Sequence, residues 1–178
     1  MSARFVALLA AALSFAGATP CAFGQVVYTT TLSGAAEVPP NASTGVGSAT
    51  ITYFPATSMM TVSTSFSGLS GVATAAHIHC CTSSTTNAGV ATQTPNFDGF
   101  PIGIAAGTYE HTFGMTLSSS YNPAFVTASG GSVTAALQRL LEGMGNRTAY
   151  FNIHSMSFPG GELRGNLVEQ SIFRSGFD

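Results

Sequence analysis

Between Val26 and Leu117 the chain alternates polar and apolar residues with period two, in runs rich in Thr, Ser, Val and Ile that Gly, Pro, Asn and Ser interrupt. Alternate side chains of a strand share a face, so the pattern predicts half-buried β-strands. The runs place them at Val27–Ser33, Gly47–Tyr53, Met59–Phe66, Thr74–Cys80, Gly89–Gln93 and Thr108–Leu117. "EVPPNASTG" and "TPNFDGFPIG" read as loops, because their prolines and glycines do not suit a central strand. One segment changes period. In "GSVTAALQRLLEGMG", Val133, Leu137, Leu140, Leu141 and Met144 recur at helical spacing, with Ser132 as N-cap and Gly143 or Gly145 as the stop. "TAYFNIHS" and "GELRGNLVEQ" follow as two more strands, joined by the turn-forming "MSFPGG". Many short antiparallel strands with one crossing helix predict a mainly β fold, an antiparallel β-sandwich or a flattened Greek-key barrel.

The first residues do not share this alternation. Arg4 supplies one positive charge, an apolar run extends from Phe5 to about Ala16, and small residues surround "CAFG". That is the pattern of a secretory signal peptide over residues 1–24, cleaved after Gly24. The apolar run is shorter than the ~20 residues that span a bilayer. Cys21 follows Pro20, a poor match to an acylation site. The expected product is one secreted domain, residues 25–170, extracellular or periplasmic, with a short tail at 171–178. No membrane span is expected.

Charge removes further classes. Only 7% of residues are charged, lysine is absent and the net charge is −2. Such a surface is built from neutral polar groups. It has no basic footprint for nucleic acid and no strong field to steer a charged partner.

The chemistry-bearing residues concentrate in "TAAHIHCC". On a strand His77 and His79 project to one face, about 6.6 Å apart at ~3.3 Å per residue, while Ile78 and Cys80 project to the other. In "TAYFNIHS", Phe151 and Ile153 share the apolar parity, which leaves Asn152 and His154 opposite. If the two strands lie close, His77, His79 and His154 form an all-imidazole cluster. Imidazole suits Cu, Zn, Fe and Ni, and three ligands leave a position open. His111 shares parity with Tyr109 and Phe113 and is expected at a core edge with a hydrogen-bond partner. Glu162 and Arg164 share a face by period two, either as a solvated pair or beside the histidines, with Glu162 orienting an imidazole N–H. Glu37 is a loop acid that could serve the same end.

Cleavage after Gly24 leaves Cys80 and Cys81. Adjacent Cα atoms sit ~3.8 Å apart across a trans peptide, below the ~4.4–6.8 Å of a relaxed disulfide. A bond between them would be strained and reducible. One buried thiol beside one exposed thiol, or pairing to another chain, are the other readings. The sequons at Asn41 and Asn146 matter only in a glycosylating host.

Three stretches in order, "LSGAAEVPP", "GLSGVATAAHIH" and "AYFNIHSMSFPGGELRGNL", resemble the CHRD domain, the module first named from chordin. The resemblance runs from about Tyr28 to Glu169 and implies a secreted, β-rich domain of the type found in bacterial proteins. It implies location and fold more firmly than activity. A fainter likeness is to copper/zinc superoxide dismutases: "GLSGVATAAHIH" is similar to their His-x-His strand and "NIHS" to a later ligand-bearing strand. That likeness implies copper ligation by His77, His79 and His154 and anion guidance by Arg164. No counterpart of the bridging histidine, of the zinc loop or of the long-range disulfide is present, so a copper-only site is the most it implies.

Two functions follow. The first is an extracellular interaction or adhesion module for a protein or polysaccharide partner, carrying a surface three-histidine metal site. The alternative is a copper-binding protein with limited, superoxide dismutase-like redox chemistry. A hydrolase is disfavoured, since no Gly-x-Ser-x-Gly elbow is present.

Overall fold

The computed structural model describes residues 24–170. Most of the expected leader and the tail at 171–178 lie outside the described residues. Eight strands form one antiparallel sheet: β1 (Val26–Ser33), β2 (Val46–Phe54), β3 (Met59–Ser67), β4 (Ala73–Cys80), β5 (Gly107–Gly114), β6 (Ala149–Ser155), β7 (Leu163–Asn166) and β8 (Val168–Glu169). The order across it is β4-β6-β7-β1-β2-β3-β5, with β8 beside β1. The fold is mainly β, as the alternation predicts. Among the described residues no helix is long and apolar enough to cross a membrane.

Period two decides which side is buried. Ile51 and Tyr53 of β2, Met60, Val62 and Phe66 of β3, and Tyr109 and Phe113 of β5 all point inward. Phe97, from the long connection between β4 and β5, is 1% exposed. Its ring lies 5.9 Å from Phe151 of β6 and 5.5 Å from Phe113 of β5. β6 and β5 stand near opposite ends of the strand order, so the sheet curls round this aromatic centre. Each such ring removed from water stabilises the fold by roughly 1.5–3 kcal/mol.

The outer face of the larger half is a lattice of hydroxyls. The register aligns Thr31, Ser48, Ser65 and Thr108 in one row, Thr29, Thr50, Ser63 and Glu110 in the next, and Val27, Thr52, Thr61 and Thr112 in a third. Ser48 bonds Ser65 at 3.1 Å and Thr61 bonds Thr112 at 2.8 Å across the strands.

The helical segment has two helices where the apolar spacing predicts one. α2 (Val133–Gly145) is capped by Ser132, whose Oγ accepts from Ala135 N at 3.1 Å. It runs through Gly143, and left-handed Arg147, φ 59°, turns the chain beyond its end. α1 (Pro123–Ala128) precedes it, with Asn122 as cap and Pro123 in its first turn. The Arg139 guanidinium joins the two, donating to Ala128 O at 2.8 Å and lying 5.2 Å over the Phe125 ring.

Two strand expectations shrink. Gly89–Gln93 is not a strand: only the bridges His79↔Val90 and Thr92↔Tyr121 form there. The chain meets the free edge of β4 at that point, and meets it again where Phe97 N donates to Ala76 O at 3.4 Å. β5 ends at Gly114, where Leu117 N donates back to Gly114 O at 3.1 Å in a turn. Leu117, expected on the strand, is 57% exposed.

Candidate metal centre

β4 and β6 pair antiparallel, with Ala75 opposite His154, His77 opposite Asn152 and His79 opposite Tyr150. Ala76, Ile78 and Cys80 face the core, as do Phe151 and Ile153. Parity therefore sends His77, His79 and His154 to the other face, from adjacent strands. Their ring centroids are 5.8 Å (His77 to His79), 5.4 Å (His77 to His154) and 5.8 Å (His79 to His154) apart. One nitrogen of each ring can join a set whose members all lie within 4.8 Å of one another. The expected surface position does not hold: His77 and His79 are buried and His154 is half-buried. The β4–β5 connection and the turn before β7 fold over this face.

Those covering segments fix the imidazoles by their backbone. His77 Nε2 lies 2.7 Å from Pro95 O, His79 Nδ1 2.9 Å from Ala88 O, and His154 Nδ1 2.9 Å from Pro159 O. A carbonyl can only accept, so each of these nitrogens carries a proton and donates it. The other nitrogen of each neutral ring is left with a bare lone pair. Those nitrogens, His77 Nδ1, His79 Nε2 and His154 Nε2, are buried and have no hydrogen-bond partner. Buried polar atoms without partners are rare and costly. Three buried lone pairs in one histidine cluster, each backed by an N–H···O=C bond, match the arrangement that orients metal-ligating histidines.

Electrostatics keeps the rings neutral. Burial pushes both His77 and His79 down from 6.5 to about 4, against the opposing pull of their carbonyl partners. Burial also lowers His154. Near pH 7 all three present lone pairs rather than charges, the form a metal requires.

Glu162 and Arg164 are not a solvated pair. Both are buried, and their hydrogen bonds go to different partners. Glu162 accepts from Ser43 Oγ at 2.6 Å, from Ser70 N at 2.6 Å and from Ser155 Oγ. It orients no imidazole, because backbone carbonyls perform that task. Burial works to raise its pKa, but the bonds from Ser155, Ser43 and Ser70 prevail and hold the carboxyl below its ordinary value. Arg164 donates to Asn87 Oδ1 at 2.9 Å, Thr86 O at 2.9 Å and Ser84 O at 3.4 Å. Glu37 accepts from Asn152 Nδ2 at 2.5 Å, and burial raises its pKa. His111 lies on β5, half-buried, its ring 4.6 Å from Phe113 and 6.3 Å from Tyr109, apart from the cluster.

Cys80 and Cys81 are bonded to each other, and the peptide between them is cis, with Cα atoms 3.1 Å apart. The arithmetic for a trans peptide does not apply to this pair. Asn41, first residue of one sequon, spends its amide on Gly161 O and Glu162 O, at 3.2 and 3.1 Å.

Sequence reasoning missed Tyr150 and the three carbonyls. Tyr150 has the parity of Asn152 and His154, so the signal was available. Its ring stacks on His79 at 4.8 Å and 5°. The carbonyls of Ala88, Pro95 and Pro159 are backbone atoms and carry no residue-type signal.

The donor set of three neutral imidazoles fits an ion that favours nitrogen, with a coordination position left for water or a small ligand. A family model, the CHRD domain, matches residues 28–167. Searches of curated proteins and of solved structures each returned no match.

Proposed function

As the chain belongs to the CHRD domain family, we propose that it is a secreted member that binds one transition-metal ion, copper foremost, through His77, His79 and His154. One observation carries this reading: the three clustered imidazoles each keep one buried nitrogen with no partner, while the opposite nitrogen of each ring is held by a carbonyl. Bound copper would supply an open coordination position and one-electron chemistry of limited, superoxide dismutase-like kind. The chain's own residues would hold the ion, keep the imidazoles neutral and limit water at the site. Export is supported by the leader pattern of residues 1–24 and by the Cys80–Cys81 disulfide, a bond that persists in oxidising compartments.

The test is calorimetric titration of metal-free protein with Cu(II) and Zn(II), beside His77→Ala, His79→Ala and His154→Ala. One-to-one binding that is lost in each variant is the expected result. No binding by folded wild-type protein overturns the reading.

A second reading rests on the hydroxyl lattice of β1, β2, β3 and β5, a nearly uncharged face suited to an extracellular protein or polysaccharide. An adhesion module of this kind would bind its partner equally well with and without a chelator.

A further inference from the structure

Arg164 is 1% exposed, and its guanidinium carbon lies 3.5 Å from the centroid of the Tyr150 ring. Tyr150 lies on β6, between β7, which carries Arg164, and β4, which carries His79, and its ring stacks on His79 at 4.8 Å with the planes 5° apart. Cation, phenol and imidazole therefore form one column that ends on a ligand of the histidine cluster. The same guanidinium grips the loop after Cys81 through Thr86 O and Asn87 Oδ1. The next residue is Ala88, whose carbonyl accepts from His79 Nδ1 at 2.9 Å. Tyr150 Oη also meets this residue, accepting from Ala88 N at 3.1 Å and donating to Ala88 O at 3.3 Å. Arg164 thus reaches His79 by two routes, through a ring and through a loop, and both routes set the same imidazole.

We propose that Arg164 is a positioning residue for the metal centre: with Tyr150 it fixes the rotation and tautomer of His79, so that Nδ1 keeps the proton and Nε2 points its lone pair into the cluster. The inference rests on the metal-binding reading for its purpose, but every contact it uses is made within the chain itself. The physical case is the planar fork. A guanidinium can stack on an aromatic face while its edge donates to two acceptors, which an ammonium cannot do. His77 and His154 are anchored by Pro95 and Pro159, outside this column. The effect of Arg164 should therefore be confined to one imidazole of three.

The experiment is long-range proton–nitrogen NMR of the histidine side chains in metal-free protein, for wild type, Arg164→Gln, Arg164→Lys and Tyr150→Phe. Wild type should show His79 as the Nδ1–H tautomer. Arg164→Gln should give a mixture at His79 with His77 and His154 unchanged, and Arg164→Lys should not rescue it. Tyr150→Phe keeps the stack, loses both bonds to Ala88, and should give a smaller change of the same kind. Arg164→Lys, which keeps the charge and loses the planar fork, decides the matter if Arg164→Gln fails to fold. An unaltered His79 in the folded variants overturns the proposal, as does an equal disturbance of all three histidines. A parallel Zn(II) titration separates the two readings. With the metal reading intact, Arg164→Gln should bind ~10–100-fold more weakly. If wild type takes up no metal while the His79 tautomer still follows Arg164, the metal reading fails and the positioning role stands.

Discussion

His77 and His79 titrate near 4 in the folded protein because they are buried, and near 6.5 when unfolded. Between these values the unfolded chain binds more protons than the native one. Stability of the metal-free protein therefore rises with pH across that window, and it is lost as pH falls from about 6.5 towards about 4. Urea midpoints measured at intervals from pH 7 to 4.5 should fall by amounts worth a few kcal/mol. His79→Gln should make the decline distinctly shallower, and a flat wild-type profile would contradict the assigned burial effect. Glu162 gives a second prediction at this scale. Its oxygens receive Ser43, Ser70 and Ser155, and a glutamine must turn an NH2 towards one of those donors. Glu162→Gln should cost about 2–3 kcal/mol in urea unfolding.

At the scale of elements, α2 meets the sheet where it carries no side chain. A Cβ on Gly143 would overlap the sulfurs of both Cys80 and Cys81. Alanine is the better helix former by ~1 kcal/mol, yet two sulfurs joined to each other have little room to give way. Gly143→Ala should therefore destabilise by about 1–3 kcal/mol, read as a lowered thermal midpoint. The same elements show what sequence could reveal. Strands β1, β2 and β3 bury one face each, so alternation marks them to within a residue or two. β4 and β6 also alternate, but both of their faces are covered, and the cover is chain rather than sheet. The β4–β5 connection has no period to read, and beside the bonds of the Thr92 hydroxyl to Ile78 its contacts with β4 are made by carbonyls and amides of any sequence. The ligands were visible as histidines in matching parity, whereas their burial and their anchors were not. α1 is hard to read although Asn122 and Pro123 mark its start, because only one of its six residues, Phe125, is buried and no apolar stripe forms.

Taken whole, the molecule meets water through hydroxyls and amides rather than through ions, with charged residues only 7% of the chain. Exposed charge pairs are what salt weakens first. The urea midpoint at pH 7 should consequently change little between ~0.05 and ~0.5 M sodium chloride, a range over which screening shortens severalfold. A large shift would point to ionic contributions that the described contacts do not contain. The carbonyl anchors of Ala88, Pro95 and Pro159 have a consequence for descent. Every residue type possesses a carbonyl, so single-letter replacements at those sites remove no acceptor from any histidine. What the centre cannot absorb is a change in loop length, which would displace an anchor bodily. Its vulnerability in a lineage thus lies in insertions and deletions, and the three anchor positions themselves are free to change residue type while the loop lengths are kept.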